Sequence, residues 1–526
     1  MLNRPTLHSD QVRDIAAHYE DLEYQFAWPK QGAIFDCLKV LQGAPAEQGG
    51  AIEASIEAEL GISLAEQRRL ASQYDFLSEE HRHGACHLAA QTLHRNMLGL
   101  GGEPERIYRR GPLLGKLSAE GPQLEAYLKL GGYAAAREAL TALAPEQIIH
   151  EVEVGQLNGH GGAYFPASIK WEVAAQAKAE HKFLLCNADE GEPPTRKDKL
   201  LLERGPHLLL EGMLIAGKAI GARLGIIYVR GDYSESIQAL ERAIGEAQAA
   251  GWLGDDIQGS GFSFYVEVFA GSGSYVAGCD TAMIESLEGK APIPRSTPPY
   301  PAEEGLAGYP TVVNNVETLC NVPLIIEQGG KAYAKTGLKH WSGTKLFSVS
   351  GDVAKPGFYE VPIGYPLADL LELAGGAVQQ AGEELEAGQV QAVSPGGATA
   401  GLLSAEEAAQ ATLDPASMQE YGASLGSGAI TVFNTERDML AHADEVLEFL
   451  AEESCGNCIQ CPISIRKGQA TLQSLRAGEA SQGDIEGLKS EAAMLPVVLK
   501  CGLGKGAYGT LLTAVSKFTP SYAEVS

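Results

Sequence analysis

A chain of 526 residues is too long for one hydrophobic core, so three or four domains are expected. Its 45% hydrophobic and 20% charged residues describe an ordinary soluble globular protein. A formal charge of −27, from 67 acidic against 40 basic residues, repels a phosphate backbone and argues against nucleic acid as a partner.

The opening stretch, MLNRPTLHSDQVRDIAAHYEDLEYQ, has no apolar core of a secretory signal, and no apolar run reaches the length of a membrane span. A cytoplasmic protein without a transmembrane segment is therefore expected. Residues 1–110 read as a helical extension. DQVRDIAAHYEDLEYQF and AIEASIEAELGISLAEQRRLASQYDFL carry apolar residues at three-to-four spacing, and Thr6, Ser9 and Asp10 offer starts for the first. In HGACHLAAQTLHRNML, Cys86 is flanked by His83 and His87; a metal site is one reading, and ordinary packing residues the commoner one.

PQLEAYLKLGGYAAAREALTALAPEQIIHEV predicts two short helices joined at Gly131-Gly132, with a further start at Pro145. The glycine-rich run GQLNGHGGAYFP follows at 155–166. Glycine lets backbone N–H groups approach a phosphate, a following helix adds its dipole, and Lys170 adds a full charge. Alone, such a loop is equally a turn. KFLLCNADEGE, 182–192, reads as a buried strand that delivers Asn187, Asp189, Glu190 and Glu192 to its carboxyl end, where open α/β sheets bind ligands. Two helical stretches, PHLLLEGMLIAGKAIGARLG and SESIQALERAIGEAQAAGWL, then alternate with the strand GIIYVRG as in βαβ units. In FSFYVEVFAGSGSYVAGCDTAMIESLEG a strand meets a helix through a glycine loop spaced GxGxxxxG, which departs from the dinucleotide fingerprint. Residues 291–315 are proline-rich and irregular, and Asn314, Asn315 and Thr318 open the next helix.

From 345 to 430 the pattern changes to strand–turn–strand (KLFSVSGDVAKPGFYEVP), helix (YPLADLLELAGG) and late strand (AITVFN), a small ubiquitin-like α+β domain. The remainder is helical and carries Cys455, Cys458 and Cys461 at CxxCxxC spacing, with Cys501 40 residues after Cys461. Four thiolates suit a cubane iron–sulfur cluster. Zinc is the competing occupant, although zinc ribbons pair one CxxC with another; four unrelated cysteines are the third reading. Cys37, Cys86, Cys186, Cys279 and Cys320 are scattered and odd in number, which argues against a disulfide framework. No Ser–His–Asp or HExxH pattern points to hydrolysis.

The glycine loop, NADE, the Pro/Gly segment, VNNVETL and the cysteine set, in this order, resemble the flavin-carrying, NADH-oxidising subunit of respiratory complex I, over roughly residues 110–526. Its relatives include the diaphorase subunits of NAD-linked formate dehydrogenases and hydrogenases. Residues 50–95 are similar to a worn version of the small thioredoxin-like partner subunit, keeping a counterpart of Cys86 alone among its cluster cysteines. Such a fusion points to the formate dehydrogenase branch.

The resemblance implies a multidomain α/β protein. The helical, degenerate thioredoxin-like region would span 1–110 and a Rossmann-like FMN and NAD(H) domain 111–340. The ubiquitin-like (SLBB-type) domain would span 341–432 and a helical 4Fe–4S domain 433–526. Gly159, Gly161, Gly162 and Lys170 would cradle FMN, and Asn187, Asp189, Tyr275 and Gly278 would hold it. Asn314, Asn315 and Thr318 would complete the phosphate and ribityl contacts. Glu190 would lie near flavin and nicotinamide and tune them, and Cys455, Cys458, Cys461 and Cys501 would hold the 4Fe–4S cluster. An iron–sulfur catalytic subunit, such as a molybdenum or tungsten formate dehydrogenase, would be the partner.

Departures fall on the nucleotide side. The family's GRGGAGF is here GHGGAYF, which puts His160 for Arg and the bulky Tyr164 for Gly where nicotinamide needs space. CGEET is here AGCDT, with Cys279 and Asp280 for two glutamates. KPPFPA is here TPPYPA, with Thr297 for Lys and Tyr300 for the adenine-stacking Phe, and an aromatic is replaced by Val173. An NAD(H)-linked diaphorase subunit is the first expectation; a docking subunit that keeps the cluster but no longer binds NAD(H) is the alternative.

Overall fold

A computed structural model of the chain describes Ile56, residues 88–381 and residues 384–519. Most of the N-terminal extension, with Cys37, His83, Cys86 and His87, lies outside the described residues, as does the thioredoxin-like region apart from Ile56 and 88–95.

Four apolar runs form a parallel sheet: β1 (Phe183–Ala188), β2 (Leu224–Arg230), β3 (Tyr265–Gly271) and β4 (Thr311–Asn315). Its order is β3-β2-β1-β4. FLLCNA and LGIIYVR are almost continuously apolar because helices cover both faces of a parallel sheet. Those helices are α1 (Ala167–Gln176), α2 (Lys197–Arg204), α3 (Pro206–Ile220), α4 (Ser234–Ala249) and α5 (Val316–Gln328). Nearly every residue of α3 is buried. Its Gly212 lies against α5 so closely that a Cβ there would sit 2.0 Å from the Leu319 carbonyl oxygen. The connections leave β1 toward β2 on one side and return to β4 on the other, so the order reverses between β1 and β4. Ligands of such sheets bind at that crevice.

The second sheet is mixed and six-stranded. It runs from Arg106–Arg109 through β6 (Gly357–Pro362), β5 (Thr344–Gly351), β8 (Ala429–Asn434) and β7 (Val390–Ser394) to Leu403–Ser404. Helix α6 (Leu367–Leu373) packs on it, and Phe347, Val349, Val361, Leu370 and Ile430 fill the core. The first strand corrects the helical reading of residues up to 110. Ile107 and Tyr108 have strand propensity, the segment pairs parallel to β6, and Tyr108 stacks on Tyr359 at 5.5 Å.

The C-terminal helices are α7 (Met439–Glu452), α8 (Gln460–Arg476), α9 (Gln482–Val498) and α10 (Gly509–Phe518). They close over Val446, Leu450, Ile465, Leu472, Leu488 and Leu511. Asp438 accepts from the Leu440 and Ala441 N–H groups and starts α7; Ser481 does the same for α9 through Asp484 N–H. The helix Leu88–Leu98 enters this bundle from the other end of the chain, with Leu93 and Met97 fully buried in the same core. Among the described residues no helix is long and apolar enough to cross a membrane.

Candidate functional site

The carboxyl ends of β1 and β4 bring the predicted residues together. The glycine loop folds over them because its backbone is tied at both ends: Gly159 N–H donates to Phe165 O at 2.9 Å and His160 N–H to Thr318 Oγ1 at 2.9 Å. Thr318 therefore holds the loop down. Gly161 passes so near β4 that a Cβ would lie 3.2 Å from Asn315 Cβ, and Gly162 has a φ of +119° that favours glycine. Asn314 accepts from Trp171 Nε1 at 2.8 Å. Asn315 caps α5 by accepting from Glu317 N–H at 3.0 Å, and its amide donates to Asp198 at 2.6 Å. Asn187 crosses to the other loop and donates to Gly278 O at 2.8 Å.

Asp189 stands apart within this network. It is fully buried, and neither carboxylate oxygen has a hydrogen-bond partner. Burial pushes its carboxyl up to about 7 against the pull of Arg230. A Cβ on Gly278 would sit 3.6 Å from Asp189 Oδ2, so the carboxylate faces a stretch of bare backbone. Buried polar atoms are almost always paired, and an orphaned acceptor calls for a donor from a bound group. The hydroxyl-rich ribityl chain of FMN supplies such donors. The glycine cradle, the orphaned Asp189 and the lysine nearby thus fit the flavin. Lys170 Nζ is held at 3.0 Å by Asp280 Oδ2 and at 3.1 Å by Val313 O, which joins two predicted contacts into one ion pair.

Glu190 has a φ of +33°, and its buried carboxylate accepts from Asp198 N–H at 2.7 Å, Lys199 N–H at 3.0 Å and Tyr233 Oη at 3.2 Å. It thereby serves as the anion at the start of α2. Burial, then Asp198, raises its pKa. Glu192 accepts from Tyr275 Oη at 2.9 Å and from Ala398 N–H at 2.5 Å, joining the flavin loop to the second domain; burial pushes it up to about 7. Tyr275 also packs its ring edge on Phe449 at 5.3 Å. Tyr300 is 58% exposed, and Val173 is exposed too. Phe165, which sequence reasoning missed, is an exposed aromatic directly after the glycine loop. Tyr164 adopts φ +53°, and its hydroxyl donates to Gly426 O at 3.1 Å while its ring lies under Lys345 Nζ at 5.7 Å. The ring is engaged with the second domain.

Beneath the loop lies a buried charge cluster that the sequence did not reveal. Glu317 is fully buried, with Lys197 Nζ at 3.0 Å, Lys345 Nζ at 3.5 Å and His160 Nδ1 at 2.9 Å, the last without hydrogen-bond alignment. Burial alone would raise the Glu317 carboxyl, but Lys345, Lys197 and His160 hold it well below its usual range. Burial depresses Lys345 to about 8. The glutamate sat in the quoted VNNVETL; nothing in KLFSVSG marked the lysine as its partner.

Cys455, Cys458, Cys461 and Cys501 line one cavity with Val276 and Pro294. The loop after α7 turns at Gly456, φ +70°, and Cys461 N–H donates to Cys458 O at 3.0 Å, which curls the CxxCxxC segment along one side of the cavity. All four are free thiols. Burial pushes the Cys501 thiol up to about 11. Val276 belongs to the same short turn, Tyr275–Gly278, that borders Asp189. One turn therefore forms a wall of both sites.

Comparison with known proteins agrees with each part. The profile of the Nuo51 FMN-binding domain matches residues 152–324. The SLBB domain matches 346–393, and the NADH-ubiquinone oxidoreductase-F iron–sulfur binding region 441–525. The chain is 40% identical over 403 residues to the NADH-quinone oxidoreductase F 2 subunit of Rhizobium meliloti, covering 77% of this chain and 94% of that one. Its likeness to the corresponding NADH-quinone oxidoreductase F-type subunit of Escherichia coli is 40% over 401 residues, 76% and 88% of the two chains. The NAD-reducing hydrogenase HoxS subunit alpha of Cupriavidus necator is 38% identical over 72% of this chain and 60% of its own. A solved NAD⁺-reducing [NiFe]-hydrogenase in the H₂-reduced state superposes with a TM-score of 0.73 at 28% identity, covering 93% of this chain and 92% of that one.

Fold and site together define an electron-transfer oxidoreductase subunit of the NADH-dehydrogenase type, carrying FMN and a 4Fe–4S cluster. The chain belongs to the family of the FMN-binding, F-type subunit of complex I, to which an NAD-reducing hydrogenase subunit is also similar. The iron–sulfur match over 441–525 spans Cys455, Cys458, Cys461 and Cys501, and it supports a 4Fe–4S cluster over zinc as the cofactor of this region.

Proposed function

We propose that this chain is the cytoplasmic NAD(H)-oxidising subunit of an NAD-linked formate dehydrogenase, with its FMN domain at 111–340, an SLBB-type domain at 341–432 and a cluster domain at 433–526. The observation that carries the flavin assignment is the orphaned, fully buried Asp189 beside Gly278, one turn from the wall of the four-thiol cavity. FMN, when bound, exchanges two electrons with a nicotinamide and releases them singly. The protein's part is to hold that group and shield it. Gly161 and Gly162 offer backbone donors, Gly159 fixes the loop that carries them, Lys170 offers charge to a phosphate, and Asp189 accepts from ribityl hydroxyls. Glu190 organises the floor by capping α2. Phe165 and Tyr300 offer exposed aromatic faces to an adenine.

The formate dehydrogenase assignment draws on the resemblance of residues 50–95 to a thioredoxin-like remnant. A second reading, a docking subunit that no longer binds NAD(H), draws on Thr297, Val173 and Cys279. One anaerobic titration of the FMN-replete protein separates the two. Bleaching of flavin absorbance by NADH, followed by a cluster signal in electron paramagnetic resonance, supports the first. A cluster that only dithionite reduces refutes it. Purification with a formate-oxidising subunit supports the named partner, and purification with a hydrogenase refutes it.

A further inference from the structure

The helix Leu88–Leu98 and the turn after it touch three parts of the molecule. Leu93 and Met97 are buried in the C-terminal bundle, and Asn96 Nδ2 donates to Glu445 of α7 at 2.6 Å. The turn is tied to the mixed sheet. Leu100 N–H donates to Asp352 Oδ1 at 3.0 Å and Gly101 N–H to Gly351 O at 2.9 Å, while Ser350 Oγ donates to Met97 O at 3.2 Å. On the third side the helix presents His94 to the loop that follows Glu190 and Glu192. His94 Nδ1 bonds to Pro193 O, and its Nε2 lies 3.0 Å from Arg196 Nη2 and 2.9 Å from Glu103 Oε1.

That loop needs an outside donor. Pro193 and Pro194 are buried and lack N–H groups, so this stretch donates no backbone bonds of its own. Besides the histidine, the Pro193 carbonyl has a long bond from Arg196 Nη1, at 3.3 Å. A carbonyl only accepts, which assigns a His94 proton to Nδ1. Nε2 then accepts from Arg196 in the neutral ring and donates to Glu103 in the charged one. The hold on Pro193 O is the same in both states, which fits a fixed strut and not a titrating switch.

What the strut holds lies at the flavin site. Gly191 passes so near the Tyr275–Gly278 turn that a Cβ would sit 3.2 Å from Tyr275 Cα. Glu192 is bonded to Tyr275 and Ala398, and α2, which Glu190 caps, begins directly after Arg196. Thr195 N–H donates to Glu192 O at 3.0 Å, and Thr195 Oγ1 lies 2.8 Å from Ser427 Oγ. Arg196 N–H donates to Ser348 Oγ at 3.2 Å. The loop is thus fixed on its flavin side by Glu192, on its sheet side by Thr195 and Arg196, and at its proline turn by His94.

We infer that His94 is a positioning residue for the oxidoreductase reaction. By gripping Pro193 O and Arg196 it keeps residues 191–196, and through them Glu190 and Glu192, in place against the flavin loop. It acts through the loop and moves no electron or proton of the reaction. On the reading of residues 50–95 above, this is a task that the N-terminal region performs for the flavin domain in cis. The effect on turnover rests on the NAD(H)-oxidising reading; the effect on the flavin-free protein rests on the loop contacts alone.

The test compares the full-length wild type with His94→Asn, His94→Gln and His94→Ala. The Asn amide nitrogen takes the place of Nδ1 and still reaches Pro193 O; the Gln amide takes the place of Nε2 and loses that carbonyl. Alanine loses both contacts and is the better helix former, so a loss in it does not come from the helix itself. Hydrogen exchange over residues 195–199 is read without FMN, and FMN affinity is read by quenching of flavin fluorescence. In the Ala and Gln variants exchange is expected to rise about tenfold and FMN to bind about threefold more weakly, with the Asn variant close to wild type. In the FMN-replete protein, kcat/KM for NADH with ferricyanide should fall about tenfold per bound flavin in Ala and Gln and be restored in Asn. Unchanged exchange over 195–199 in the Ala variant overturns the proposal. So does a rise of equal size throughout the C-terminal bundle, the mark of a purely structural role, and so does an Asn variant as impaired as Ala. Failure of NADH to bleach the wild-type flavin counts against the NAD(H) reading instead, and exchange and FMN affinity then decide the role of His94.

Discussion

The backbone N–H of Tyr275 donates to the carboxylate of Glu453 at 2.8 Å. Tyr275 begins the turn that borders the orphaned Asp189; Glu453 precedes Cys455 by two residues. One hydrogen bond thus fixes the spacing of the flavin loop against the cluster loop, and Phe449 packs against the same tyrosine from the end of α7. Glu453→Ala is expected to lower stability by about 1 kcal/mol, since the group is only half-buried. It should also slow the appearance of the cluster signal after anaerobic mixing with NADH, while the NADH–ferricyanide rate stays near wild type. Freeze-quench paramagnetic resonance checks this. An unchanged rise of the cluster signal would show that the bond does not set the distance.

Asp189→Asn should weaken FMN about tenfold, because a charged acceptor is replaced by a neutral amide that also presents an unwanted donor. Flavin fluorescence quenching on titration reads the affinity. The flavin-free protein should respond in the opposite direction. Burial raises the Asp189 carboxyl to about 7 in the folded state from an ordinary value near 3.8. The folded state therefore holds its proton more tightly than the unfolded state between those values. Stability of the flavin-free wild type falls as pH rises from about 4 to about 7, and Asp189→Asn should flatten that slope. Thermal melts across this window, with and without FMN, decide the point.

Glu317→Gln should be far more damaging. It leaves Lys197 and Lys345 buried without their shared anion, and breaking a buried pair this way costs about 3–5 kcal/mol. The depressed folded pKa of Glu317 gives stability that is present above its ordinary value and lost as pH falls through the folded value. Urea unfolding of the variant should lose that acid-side dependence, and a variant as stable as the wild type would show that the cluster of charges is not mutually supporting.

Cys458→Ala or Cys501→Ala should abolish the 4Fe–4S cluster and leave the flavin. Metal analysis is expected to give iron and sulfide in the wild type, without zinc, and neither in the variants. FMN content and the NADH–ferricyanide rate should persist, because that small acceptor draws electrons at the flavin.

Spacing and local composition carried much of this protein. CxxCxxC with a distant fourth cysteine, the glycine run at 155–166, the apolar run ahead of NADE and the change of pattern near residue 345 are short-range features, and short-range sterics and periodicity decide what they become. The sequence likewise identified Asn187 and Asp189 as polar groups at a strand end and Asn315 as a polar group opening a helix. It could not show that Asp189 would be left without a partner, that Glu190 would turn to cap α2, or that Arg106–Arg109 would leave the helical region to pair with β6. Nor could it show that Glu317 would gather His160, Lys197 and Lys345 from separate segments, or that the Tyr275–Gly278 turn would serve both sites. Those are long-range outcomes. They depend on which surfaces the packed sheet and helices bring into contact, because hydrogen bonds and buried charges are satisfied only by groups that the tertiary fold delivers.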